Sequence, residues 1–208
     1  YLESIGQGGK AAGLMIAIFA AAQFVMSPVA GKWADQYGRR KMIIIGLSGL
    51  ALSMFVFYLS DSIWILYLSR IFGGIGAALL IPAIFAYIAD ITTMDQRAKG
   101  NSMISASMSL GIVIGPGIGG FAAEIGLKVP LLFSAIVAVI AVIFSIFLLK
   151  ESKENLEGYN DYPQEPMILK IAKTVKMPYF ILLVISLVMS FGLMAYESVL
   201  GLFVDYEF

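Results

Sequence analysis

Residues 65–89 read ILYLSRIFGGIGAALLIPAIFAYIA, and this stretch decides the class of fold. A helix needs about 20 predominantly apolar residues to cross the hydrocarbon of a bilayer, and this run is longer. Its charged residue, Arg70, stays protonated in a protein, so hydrocarbon is a costly place for it. The run therefore predicts a membrane-spanning helix, and counted from Ile63, where the span begins, its charge lies roughly 10 Å deep at 1.5 Å per residue.

The rest of the chain has the same character. Of its 208 residues, 60% are hydrophobic and 13% are charged, whereas a soluble domain is about half apolar and about a quarter charged. Further apolar runs make six candidate spans in all, and their continuous rather than alternating pattern strongly favours helices over a β-barrel. The predicted spans are 11–30, 42–59, 63–89, 101–124, 129–149 and 179–204. The sequence thus predicts an all-α integral membrane protein.

Charge and composition exclude several functions. The formal net charge is zero, which argues against a nucleic-acid partner. There is no cysteine and no histidine, so disulfides and thiolate metal sites are excluded. Proton chemistry near neutral pH then falls to carboxylates rather than imidazoles. No nucleophile–base set, metal cluster or cofactor loop is present, so we predict that the protein is not an enzyme.

Basic residues are concentrated in alternate connections between the spans. Eleven of the fourteen lie in the connections near 31–41, 90–100 and 150–178. The opposite side has only Lys10 and Lys128. The positive-inside rule places the eleven in the cytoplasm and residue 1 outside the cell membrane. Because both ends look cut, we expect the chain to be part of a longer protein.

The connection after the first span reads GKWADQYGRRK, beginning at Gly31. Gly31 and Gly38 permit close backbone approach. Asp35 can pair with Arg39 or Arg40, or lie at a helix N-terminus. A tight, positively charged turn is the simpler interpretation.

A glycine-rich run, GIVIGPGIGG, lies in the fourth span. Gly111, Gly115 and Gly119 recur every four residues, which predicts a smooth stripe for close helix packing in lipid. Pro116 predicts a bend, and Gly120 ends the run. Ordinary small-residue packing is the alternative to a functional motif.

Glu197 is the one acid well inside a predicted span. Counted from the outer end of its span, it lies at about the same depth as Arg70. Desolvation favours the protonated acid and a nearby guanidinium favours the carboxylate, so the pair can bring proton exchange into the working pH range. The alternatives are an arginine that snorkels to the outer headgroups and an acid solvated at a helix end.

Three motifs resemble those of one transporter family. GKWADQYGRRK resembles the loop between helices 2 and 3 of the major facilitator superfamily, RIFGGIGAA its helix 4 motif and GIVIGPGIGG the antiporter signature of its helix 5. The resemblance implies helices 2 to 7 of a twelve-helix transporter. It divides the chain into an N-terminal half without helix 1 (1–149), a cytoplasmic linker (150–178) and the first helix of the C-terminal half (179–208). It also implies that the first loop is an inner-gate latch.

Helix 7, SFGLMAYESVLGLFVDYEF, narrows the resemblance to the Bmr/NorA-type drug:H+ antiporters. This implies proton-coupled efflux of amphiphilic drugs by alternating access, driven by the proton gradient without a bound cofactor. Glu197 and Arg70 would be proton-coupling residues. The positions that match drug-contacting residues are Phe19, Gln23, Ile81, Ser109 and Ile112. A narrow-substrate exporter of tetracycline or sugar, and a non-transporting truncated membrane fragment, are the alternatives.

Overall fold

Long helices follow from runs of residues that are apolar on every face. The computed structural model describes residues 9–152, 181 and 184–192. Five helices within these residues are long and apolar enough to cross a membrane. They are α1 (Gly9–Tyr37), α2 (Arg39–Leu59), α3 (Ile63–Ile91), α4 (Met94–Ile125) and α5 (Val129–Leu148). Together with the helical residues 181 and 184–192, they confirm the predicted all-α membrane fold.

Four of the five helices extend beyond the predicted spans, whereas α5 ends one residue before its predicted end, and the connections after α1 and α3 are correspondingly shorter. Between α1 and α2 only Gly38 is non-helical, and α3 and α4 are separated by Thr92 and Thr93 alone. The predicted loops near 31–41 and 90–100 were therefore wrong in length. Hydropathy marks the part of a helix that lies in hydrocarbon, but backbone hydrogen bonding continues into the polar turns beyond it.

α3 lies at the centre of the packing. It packs against both α1 and α2, and α2 packs in turn against α5. Small and medium apolar side chains of α1, α2 and α3 form a buried cluster that allows the three backbones to approach closely. Its members are Ala30, Ala34, Met42, Ile43, Ala78, Leu79 and Ala83. By contrast, α4 buries no residue within the described part of the chain.

Two glycines set the distance between α2 and α3. A methyl group on Gly46 would lie 2.7 Å from the carbonyl oxygen of Gly76, and one on Gly76 would lie 2.8 Å from the carbonyl oxygen of Gly46. Real Cβ atoms do not come this close to backbone atoms, so each position excludes any side chain. The crossing of α2 and α3 is therefore a backbone-to-backbone contact.

The chain divides into two compact units, residues 1–159 and 160–208. The first contains the five helices, and the second contains helical residues 181 and 184–192. The predicted division into residues 1–149, 150–178 and 179–208 stays a prediction. Most of the predicted linker, from residue 153 onward, lies outside the described residues.

Candidate functional site

Arg39 lies at the centre of a charged cluster where α1 ends and α2 begins. Its Nη1 is 2.6 Å from Asp35 Oδ1, and its Nε is 3.2 Å from Oδ2 of Asp90 near the end of α3. Nη1 also donates a hydrogen bond to the carbonyl oxygen of Ala34. Arg39 is only 8% exposed, so two carboxylates surround a nearly buried guanidinium. The structure confirms Arg39, one of the two predicted partners, as a partner of Asp35.

Glu151, which follows α5 in the sequence, caps the N-terminus of α2 with its side chain. Its Oε1 accepts a hydrogen bond from the backbone N–H of Arg39 at 2.9 Å and a longer one from that of Arg40 at 3.4 Å. A carboxylate at this place satisfies free N–H groups and opposes the positive end of the helix dipole. Gly38 makes the approach feasible: its φ is +99°, and a Cβ there would lie 2.6 Å from Glu151 Oε2.

We expect Glu151→Ala to loosen the first turn of α2. Loss of a capping acceptor costs about 0.5–2 kcal/mol, and the exposure of Glu151 places the effect near the lower end. Hydrogen exchange at the N-terminal peptide of α2, followed by mass spectrometry on the full-length protein, measures this directly. Lys150→Ala, which changes the exposed neighbouring residue, is the matched control. Equal exchange in both variants would contradict the cap.

The three connections predicted to share one side of the membrane meet at this cluster. Ser152, which follows α5, donates a hydrogen bond from Oγ to Oδ2 of Asp90 at 2.9 Å. The Arg40 Nη2 donates to the carbonyl oxygen of Ile146 at 2.7 Å. At the opposite ends of the helices, Lys128 Nζ is 2.6 Å from Asp61 Oδ1. These contacts confirm the predicted grouping of connections, and we name Asp35, Arg39, Asp90, Glu151 and Ser152 the inner cluster.

Arg70 lies one residue past the buried Ser69 on α3 and turns toward α2. The guanidinium carbon is 4.3 Å from the centroid of the Phe57 ring, and Nη2 donates to the sulfur of Met54 at 3.9 Å. Nε is buried without a hydrogen-bond partner among the described residues. Within the same residues, Arg70 has no ion pair with a carboxylate. The predicted partner, Glu197, lies outside the described residues, so the pairing stays a prediction.

The predicted drug-contacting residues fall into two groups. Phe19 and Gln23 pack against glycines of α3: the ring of Phe19 approaches Gly73 and the backbone of Gln23 approaches Gly74. Ile81 lies further along α3 and is half-buried. Ser109 and Ile112 lie on α4 and are exposed, Ile112 by 71%. The structure therefore brings part of the set together on α1 and α3, and the drug-binding role of all five stays a prediction.

The antiporter motif differs from the glycines of α3 in its packing. A Cβ on Gly111, Gly115, Gly119 or Gly120 would meet no described atom within 4 Å. Pro116 lies inside the helix. The sequence predicted close helix packing at this stripe, but within the described residues close packing occurs at α3 instead. The structure therefore does not test the functional role of this motif, which stays a prediction.

Three members of the inner cluster were not predicted from the sequence, namely Ser152 and two acidic residues, Asp90 and Glu151. Both are acids placed directly at the end of an apolar span, on the side rich in lysine and arginine. That position was a usable signal, because an acid among clustered cations there has an obvious electrostatic partner. Their contact with Arg39 across 51 and 112 positions of sequence was not readable from spacing.

Comparison with known proteins identifies the class. The family model described as Major Facilitator Superfamily matches residues 1–208. The chain belongs to this superfamily of transporters, and its apolar helices make it a multi-pass protein of the cell membrane.

Among its curated relatives is "Multidrug resistance protein 2" of Bacillus subtilis (strain 168), 42% identical and covered over 53% of its length. "Multidrug resistance protein 1" of the same organism is 43% identical and covered over 52%. "Quinolone resistance protein NorA" of Staphylococcus aureus (strain MRSA252) is 33% identical and covered over 53%. All three matches cover 100% of this chain. The chain therefore spans about half the length of these relatives.

Solved structures agree on the fold. The human organic anion transporter MFSD10 (TETRAN) matches with a TM-score of 0.61 and 27% identity, over 73% of this chain and 36% of that one. The peptide transporter POT in complex with sulfate matches with a TM-score of 0.62 and 20% identity, over 99% of this chain and 40% of that one. The second likeness concerns the fold alone.

Proposed function

We propose that the full protein exports amphiphilic drugs from the cell in exchange for protons, by alternating access. The observation that carries this proposal is the similarity of the whole chain, at 42–43% identity, to two proteins named for multidrug resistance. The proton gradient supplies the energy, and no bound cofactor is required. The partners are small amphiphilic drugs, protons, the lipid bilayer and the remaining helices of the full transporter.

In this mechanism Glu197 takes up a proton from outside, and its neutralisation favours the return toward the inward-open state. Release of the proton inside accompanies drug capture. Arg70 interacts with the Glu197 carboxylate and disfavours a bound cation next to itself. Charges placed within spans commonly serve such ion pathways, which supports these assignments.

The inner cluster is proposed to stabilise the closed inner gate. It joins the end of α1, the start of α2, the end of α3 and the residues after α5 through ion pairs and hydrogen bonds. Such a network has a defined geometry, because the planar Arg39 guanidinium presents its N–H donors in fixed directions. A gate held by discrete contacts can switch between states instead of deforming gradually.

Glu197→Gln tests the coupling. The amide keeps the size of the acid but cannot carry a proton, so proton-driven ethidium efflux by the full-length protein is expected to fall to background. Efflux is measured in everted membrane vesicles at equal protein abundance. Glu124→Gln, a change of an exposed acid near the end of α4, is the matched control and is expected to transport normally. Normal efflux by Glu197→Gln would refute the assignment.

A panel of resistance assays with cells that produce the full-length protein distinguishes the substrate classes. A multidrug exporter confers resistance to several unrelated dyes and drugs, whereas a narrow exporter protects against one compound or a set of close analogues. A protein that moves none of them, although present in the membrane, would be a non-transporting membrane component.

A further inference from the structure

Two non-titratable side chains of α2, Phe57 and Met54, contact the Arg70 guanidinium. Phe57 lies beneath its guanidinium at 4.3 Å from ring centroid to Cζ, and Met54 offers its sulfur to Nη2. Met54 and Phe57 are three positions apart and therefore lie on one face of α2. Arg70 of α3 thus lies against an aromatic and thioether surface of α2.

The ring itself is firmly placed. Phe57 is 7% exposed and packs in a buried cluster with Met15 of α1 and Leu66 of α3. Three helices therefore fix the position of the ring, and the ring in turn limits where the guanidinium can lie. A contact fixed in this way positions a long side chain that would otherwise sample many rotamers.

The cation–π contact between Arg70 and Phe57 leaves the guanidinium able to bind a second partner. The negative face of an aromatic ring attracts a guanidinium, most strongly where water is excluded. The ring takes part through its π electrons and leaves the planar N–H donors available for a carboxylate. The buried Nε, which has no hydrogen-bond partner within the described residues, is one such available donor.

We propose that Phe57 is a positioning residue for Arg70, which holds the guanidinium in place on α3 so that its N–H donors meet a carboxylate of the transport pathway. This inference rests on the proposed function, in which Arg70 takes part in proton coupling. It adds α2 to the coupling machinery, because the arginine then depends on a neighbouring helix for its orientation.

The test replaces Phe57 with mono-, di- and trifluorophenylalanine in the full-length protein. Fluorine withdraws electron density from the ring face while the volume of the ring changes little, so folding is preserved. Proton-driven ethidium efflux is measured in everted vesicles at equal abundance and a fixed proton gradient. We expect the rate to fall stepwise, roughly tenfold across the series.

Phe55 provides the matched control. It lies on the same helix but is 47% exposed, in an apolar groove of about 480 Å3 between α2 and α5. The same fluorinated series at Phe55 should leave efflux unchanged. An unchanged rate across the Phe57 series, or an equal loss at every degree of fluorination, would overturn the proposal.

A second measurement separates this inference from the proposed function. Thermal unfolding of the purified protein is followed for trifluorophenylalanine at position 57, for Arg70→Gln and for both together. If the unaltered protein shows no proton-driven efflux, the proposed function fails, and the unfolding data still test the contact. Non-additive effects support the ring as the holder of Arg70, whereas purely additive effects overturn it.

Discussion

Arg39→Gln is expected to destabilise the full-length protein by about 3 kcal/mol, because it removes the cation between two carboxylates. Breaking a buried ion pair from one side costs about 3–5 kcal/mol. The side chains of Asp35 and Asp90 are 30% and 27% exposed, so water relieves part of their repulsion and the lower end applies. Thermal unfolding of the detergent-purified protein measures the loss, and efflux assays should show reduced transport per folded molecule.

Lys32→Gln is the control for this prediction, since it removes an exposed positive charge from the same segment of α1. Its unfolding temperature should match that of the unaltered protein. Combining Arg39→Gln with Asp90→Asn should recover part of the stability, because a neutral amide then replaces one of the two uncompensated carboxylates. If Arg39→Gln and Lys32→Gln unfold at the same temperature, the inner cluster does not stabilise the fold.

Gly76→Val is expected to separate α2 from α3 and to lower the amount of folded protein in the membrane. The added side chain would begin 2.8 Å from the carbonyl oxygen of Gly46 and 3.0 Å from the backbone nitrogen of Leu50. Neither backbone atom can rotate away as a side chain can. Overpacking costs about 1–3 kcal/mol and sometimes more, and valine and glycine differ by less than about 0.5 kcal/mol in helix propensity. The steric clash therefore determines the sign of the change in stability, which is a loss.

Gly13→Val is the corresponding control, because a Cβ on that α1 glycine meets nothing within 4 Å. Size-exclusion chromatography of a fluorescent fusion reports the folded fraction of both variants. The Gly76 variant should lose most of its monodisperse peak and the Gly13 variant should keep it. Similar profiles for the two would mean that the α2–α3 crossing tolerates a side chain.

The spans and their grouping by side were predictable because both rest on properties that hold along the sequence. Hydrocarbon selects continuous apolar runs, and the membrane forces alternate connections onto one side. Arg39 was likewise a foreseeable partner of Asp35, four positions away. The family was recognisable from the sequence for the same reason, because each of its motifs is a local pattern of residues.

What the sequence did not reveal depends on which helices become neighbours. Gly46 and Gly76 form a close crossing of α2 and α3, but a stripe such as Gly111–Gly115–Gly119 is a stronger packing signal in the sequence. Neither the glycine pair of α2 and α3 nor the glycine stripe of α4 indicates in the sequence which helix will pack against it. The cap by Glu151 escaped prediction for the same reason, since a capping residue is normally sought within a few positions of the helix start.

The cap on α2 also has a consequence for the order of assembly during synthesis. Arg39 and Glu151 are 112 positions apart, and a ribosome adds about 5–20 residues each second. The first turn of α2 must then wait on the order of 6–22 seconds for its acceptor. Until α5 has been inserted, the Glu151 carboxylate is not available to the N–H groups of Arg39 and Arg40, so the first turn of α2 gains this cap only after α5 is in place.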